Sequence, residues 1–446
     1  MKPLPLPSKI LFLATKLFGV LLASLFTNTV FAATNHWSGT SCAAPVVGSC
    51  DWSAADASSG DNWVELTTPA NNGTADIIFL GATALTPHMD RSWNVHSVLF
   101  DTTAGAFVCS GGGNTLTIQA GGMANNSLNV QTIGLTGSGS PITLGASQTW
   151  SANLANLVIH LSSPVSFNGK DLTIAGVSNV SIFPKIGGSG RLIKNDTGTL
   201  FLGQSGAFNT NFTGSVIVND GTLEIDGSQT IRKASSITLN GGTLVLNRQN
   251  SIGSSTTSMI FNGGKLSAIA PNSLVNPSDF FGTLVISNTS SSIDLNTNDT
   301  FNASLTFAAG SLAGTGTLTI NGWTGVAGQS GTDDKIFVST NPGAALLSAI
   351  RFTGFPAGAT WLGTGEIVPP APALVPPTLI SPMRLSDTAF QFVISGSAGH
   401  SYTIQVSSTF TNWTDVLTTN APSDIFTVID SNATNDPAFY RVLANP

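Results

Sequence analysis

Ionisable groups are scarce: among 446 residues there are 16 Lys and Arg, 23 Asp and Glu, and 5 His. The densest acidic group is Asp220, Glu224 and Asp226. In an extended segment Glu224 and Asp226 share one face through the two-residue period. Paired carboxylates there could protonate a glycosidic oxygen or hold calcium against an acidic sugar. The matching places further on carry Gly241, Val245 and Asn247, then Gly263, Ser267 and Ile269, so no acidic strip continues and a solvated face is the expectation,. His36, His88, His96, His160 and His400 are scattered without a nucleophile or metal spacing, and only His88 has a carboxylate close by in sequence, Asp90,. Gly187-Gly188-Ser189-Gly190 lacks the Lys and following helix of a phosphate loop and reads as a turn,. Asp333-Asp334 reads as a turn before the strand Lys335-Ile336-Phe337-Val338,. No catalytic, cofactor or metal site is expected.

Of the three cysteines, Cys42 and Cys50 are close enough in sequence for a local disulfide in an exported chain, and Cys109 is left as a buried thiol,. A zinc site would need further ligands, and His36 is the only nearby histidine,.

The elements that would position such residues are β-rich. Charged residues are 9% of the chain, against roughly 25% in ordinary globular domains, and glycine numbers 47. A net charge of −7 with no basic cluster excludes nucleic acid as a partner,. Residues 1–32 combine early positive charge, an apolar run from Leu17 to Phe26 and small residues at Val30 and Ala32, the pattern of a cleaved signal peptide,. The run is about half of the roughly 20 residues that a spanning helix needs, so no transmembrane segment is expected after cleavage.

The dominant pattern is an internal repeat. Ser215-Val216-Ile217-Val218-Asn219-Asp220-Gly221-Thr222-Leu223 returns as Ser236 to Leu244 and as Ser258 to Leu266. Asn219, Asn240 and Asn262 are about 21 and 22 residues apart, a solenoid period,. Each copy reads as strand, turn, strand. Asn219 with Gly221, Asn240 with Gly242, and Asn262 with Gly264 are expected at turn positions that need positive φ. The turn fits a hairpin or a corner, and the regular period favours the corner. Weaker copies place the repetitive core from Phe107 to Ile320, within a solenoid over 107–366. Trp37, Trp52 and Trp63 mark 33–106 as a cap, with binding of sugar faces as the alternative. A Pro-rich linker over 367–382 leads to a small β-sandwich-like module over 383–446, with Trp413 expected as a core plug,.

The segment Leu192-Ile193-Lys194 through Gly198-Thr199-Leu200-Phe201-Leu202 to Asn219-Asp220-Gly221-Thr222-Leu223-Glu224-Ile225 resembles the autotransporter-associated β-strand repeat. Trp323-Thr324-Gly325 and Gly365 to Pro369 are similar to elements that follow such repeats. The resemblance implies a β-helical passenger shown outside the cell, with no catalytic residues to carry over. The stretch after Pro377 is too short for the membrane barrel of a true autotransporter,. The expectation is an all-β protein, a right-handed parallel β-helix or β-solenoid, secreted or at the cell surface and non-catalytic. Alternatives are a carbohydrate-binding adhesin, with cell-surface or matrix polysaccharide as partner, and a polysaccharide-active enzyme.

Overall fold

The computed structural model describes residues 33–40, 42, 50–53, 62–134, 140–160, 162–203, 211–226, 231–268, 278–295, 302–372, 374–434 and 438–445. The signal peptide expected over 1–32 lies outside them.

Each repeat is built from short alternating segments. In Ser215–Val218 and Thr222–Ile225 every second residue is buried, so Val216, Val218, Leu223 and Ile225 face inward. The two strands belong to different sheets, so the turn between them is a corner of a coil and not a hairpin. Successive coils stack in register: Val216 opposite Ile237, Ile237 opposite Met259, Leu223 opposite Leu244, and Leu244 opposite Leu266. All these pairs are parallel. One coil cannot bury its apolar row alone, but neighbours above and below enclose it. The result is a β-solenoid.

The corner residues act differently from the sequence expectation. Gly221 has a φ of 63°, in the left-handed region, but Asn219, Asn240 and Asn262 do not share it, and neither do Gly242 and Gly264. The two glycines are needed for space. A Cβ on Gly242 would lie 2.6 Å from Val218 Cγ1, and one on Gly264 2.6 Å from the Gly242 carbonyl oxygen. The asparagines are needed for their amides. Asn219 donates to Asn195 (2.8 Å), Asn240 to Asn219 (2.8 Å) and Asn262 to Asn240 (3.0 Å), forming a ladder along one exposed corner.

Among the described residues the long sheet runs through thirteen strands in order, from Ala33–Trp37 to Lys335–Val338, and the second sheet has eleven, from Val108–Cys109 to Ile350–Phe352. The stack therefore begins well before Phe107 and ends beyond Ile320. Ala33–Trp37, Ala75–Phe79 and Trp93–Phe100 are its first strands, paired parallel in the same sheet as the repeats, so 33–106 is continuous with the solenoid. Their buried rows close against Trp37, Trp52, Trp63 and Trp93, all essentially inaccessible, with rings 5.2 to 6.3 Å apart. A disulfide joins Cys42 to Cys50 beside this cluster.

At the other end the helix Gly343–Ala349 buries Leu346 and Ala349. Trp323 packs edge-on against Phe352 and Phe355. Ile367 and Val368 are fully buried and pair antiparallel with Thr360–Trp361, so they close the solenoid and do not belong to the linker. The module in turn starts at the strand Thr378–Ser386, which narrows the proline-rich connection to 369–377. Two three-stranded antiparallel sheets form this module. Thr378–Ser386, Ala389–Ser395 and Ile425–Asp430 make one, and Thr414–Asn420, Ser401–Ser407 and Phe439–Ala444 the other. Between them lie Phe392, Ile394, Tyr402, Ile404, Phe426 and Val428. Trp413 is not among them: it sits half-exposed on the outside, under the Arg441 guanidinium. Its place just before a strand, after the turn at Phe410, leads the ring away from the core.

Candidate functional site

The acidic group is brought together only in part. Glu224 and Asp226 lie on one outward face of the strand Thr222–Ile225 and the residue after it, near enough for Asp226 to push the Glu224 pKa up further, after the larger effect of burial. Both are engaged by the next coil, Glu224 accepting a hydrogen bond from Asn247 Nδ2 and Asp226 pairing with Arg248 Nε at 3.0 Å. Asp220 instead accepts a bond from the Gly221 backbone amide (2.7 Å) at the corner. Glu224 and Asp226 are thus held by the stack, while Asp220 bonds within its own corner.

Three histidines pair with carboxylates far from them in sequence. His36 meets Glu65 at 2.5 Å, His88 meets Asp51 at 2.8 Å and His96 meets Asp76 at 2.7 Å. Burial pushes the Glu65 pKa up, but the bonds from His36 outweigh it and hold that carboxyl below its ordinary value. His88 does not pair with Asp90, whose oxygens accept from the Ser53 amide (3.1 Å) and hydroxyl (2.5 Å). Asp76 also accepts from the Ser97 hydroxyl, so the serine is bonded to the carboxylate and not to a histidine base,.

Lys194 occupies an inward place in its strand Arg191–Lys194, where the following coils put Val218, Leu239 and Phe261. Its ammonium donates to the carbonyl of Asn195 and to that of Asp196 (2.7 Å), while desolvation lowers its pKa. Asp279 is fully buried and accepts from the backbone amides of Ile252 (3.0 Å), Gly253 (2.8 Å) and Phe280 (2.9 Å), tying the loop at 251–253 to the next coil. Burial pushes its carboxyl up to about 7, against the opposing effect of those amides. Burial also pushes the Cys109 thiol up.

The glycine-rich segment, expected as a turn, begins as strand: Gly187 ends the strand Ile186–Gly187 and Gly188 bridges in parallel to Phe212, its amide donating to the Asn211 carbonyl of the next coil (3.1 Å), and only Ser189 and Gly190 bend away. Asp333 accepts from the Thr324 and Thr332 hydroxyls and serves the turn, whereas Asp334 is buried and accepts from the Ala303 amide (2.5 Å), tying the turn to the preceding coil. Where three short strands, Ile142–Leu144, Val165–Ser166 and Ile186–Gly187, stack beside the long sheet, an open groove of about 410 Å³ is framed by Pro141, Pro164, Lys185 and Asn211. No carboxylate among the described residues lines it. Among the described residues no three His, Cys, Asp or Glu side chains gather as metal ligands would, and no helix is long and apolar enough to cross a membrane.

No family model matches the chain, and neither curated proteins nor solved structures yield a match. The class that fold and geometry define is a β-solenoid resembling β-helical passengers.

Proposed function

We propose that this chain is an exported, non-catalytic structural or surface-display protein of the cell envelope or extracellular matrix, with repeats of the autotransporter-associated β-strand type. The observation that carries the reading is the use made of polar side chains along the stack. Asn195, Asn219, Asn240 and Asn262 bond to one another, and Glu224, Asp226 and Asp171 bond to residues of adjacent coils. Polar groups spent on holding coil to coil favour a rigid rod over a reaction centre, whose groups must meet a substrate. The repeat assignment is supported by the register in which Thr199-Leu200-Phe201-Leu202 lies against Thr222-Leu223-Glu224-Ile225.

Cell fractionation of the tagged protein in its native host, with protease treatment of intact cells, tests the location. Protein that is cell-bound and protease-sensitive, or found in the matrix, is expected. Protein kept in the cytoplasm with residues 1–32 still attached would overturn the reading.

A further inference from the structure

The second sheet of the C-terminal module has an outer face that combines exposed aromatic rings with a linked polar row. Its inner side packs Tyr402, Ile404, Tyr440 and Val442 into the module core. By strand alternation Phe439, Arg441 and Gln405 point the other way. Gln405 is in register with both Arg441 and Asp415, and the three side chains are linked across the strands: Arg441 Nε donates to Gln405 Oε1 (2.7 Å), and Gln405 Nε2 donates to Asp415 Oδ1 (2.6 Å). Beside this polar row stand three aromatic rings. Phe410 lies 3.7 Å from Phe439 and 6.5 Å from Trp413, centroid to centroid, and the Arg441 guanidinium sits 4.2 Å over the Trp413 ring.

Two features set these rings apart from ordinary surface apolar residues. Phe410 is 61% exposed, and its φ of 65° is one that a bulky residue rarely adopts,. The loop that presents it is fixed from within: Trp413 Nε1 donates to the Phe410 carbonyl (3.0 Å), and the Thr409 amide donates to the Ser407 hydroxyl (3.1 Å). A strained backbone held in place to expose an aromatic ring is a preorganised surface, and preorganisation lowers the cost of binding.

We propose that this face is a glycan-binding platform, on which a pyranose ring lays its C–H face on Phe410 and directs hydroxyls to Arg441 and Asp415. A sugar ring has an apolar face and a polar rim, and this face presents exposed aromatic rings beside a linked row of polar side chains. The Nη groups of Arg441 and the Oδ2 of Asp415 have no hydrogen-bond partner among the described residues, and they supply a donor and an acceptor at the rim,. A purely apolar protein partner would leave these two charges unpaired on docking, which is costly. The outer face of the module's other sheet shows the contrast: Ile380, Met383, Ile425 and Ile429 are exposed there without an aromatic ring among them.

The test uses the purified mature chain with its disulfide intact, mixed with insoluble cellulose, chitin and peptidoglycan sacculi, and reads bound protein against free. Saturable retention on at least one of these is expected. Phe410→Ala and Arg441→Ala should each weaken it tenfold or more, while Ile425→Ala leaves it unchanged. Phe410→Gly separates binding from folding, because it removes the ring and relieves the positive φ together: binding should fall as in Phe410→Ala while the melting temperature holds or rises. Absence of retention on all three polymers, or retention that Phe410→Ala leaves within twofold, would overturn the proposal. The measurement is made on isolated protein, so its failure is separate from a failure of the surface-display reading.

Discussion

Asn240→Ala cuts the amide ladder in its middle. The side chain both donates to Asn219 and accepts from Asn262, so two hydrogen bonds are lost, whereas Asn262→Ala removes the single bond to Asn240. A neutral hydrogen bond contributes a net stabilisation of about 0.5–1.5 kcal/mol. The ladder lies on an exposed corner, where the released amides return to water, so the lower part of that range applies to each bond. Asn240→Ala is then expected to cost about 1–1.5 kcal/mol and Asn262→Ala about half as much. Urea denaturation followed by circular dichroism gives the comparison, with an unchanged dependence on urea showing that the exposed surface on unfolding is the same. The double variant Asn219→Ala/Asn240→Ala should cost less than the sum of the two single variants, because both remove the same bond. Equal costs for Asn240→Ala and Asn262→Ala, or strict additivity of Asn219 and Asn240, would refute the idea that the asparagines act as a ladder.

Leu244 lies in register between Leu223 and Leu266 with no exposed surface, so Leu244→Ala should cost about 2–5 kcal/mol and, because coils couple only to neighbours, should divide urea unfolding into two transitions. Asp279 has its carboxyl raised above the unfolded value, to about 7, so the stability it contributes is full below its unfolded pKa of about 4 and is lost as pH rises through 7,. Asp279→Asn should flatten the fall in stability between about pH 4 and 7, measured by thermal melts across that window; an unchanged pH profile would show that Asp279 does not titrate there.

The middle of the fold was legible because a solenoid must repeat its pattern wherever it stacks. Ser215 to Leu223, Ser236 to Leu244 and Ser258 to Leu266 place the same residue types at the same phase, and that phase is their pairing register. The first coils were harder to read because the spacing between their strands varies: Ala33 pairs with Ala75, and Asp76 with Ser97, so no single period spans them. The histidine pairs escaped for a related reason. His96 finds Asp76 at a separation of 20 residues, across one turn of the coil, and His36 finds Glu65 at 29, on a segment that folds back antiparallel to the first strand, so neither distance is set by a local motif. The signal that could have revealed the ladder was present: an amide side chain is held at one phase in Asn219, Asn240 and Asn262, in the corner of each copy. Trp413 shows the opposite limit, since composition favours burial of a large ring and only the turn beside it decides where the ring goes.

A stack that grows by whole coils has a length that comes in steps. Thirteen strands at about 4.8 Å each give the long sheet an extent of roughly 58 Å,. Because the coils from Ser215 to Ser267 share one register and one ladder, an in-frame duplication of a single coil would dock on both neighbours without new chemistry, and a deletion would close as cleanly. The reach of the protein is thus a heritable quantity, adjustable by about 5 Å at a time, while both ends and whatever they touch stay as they are.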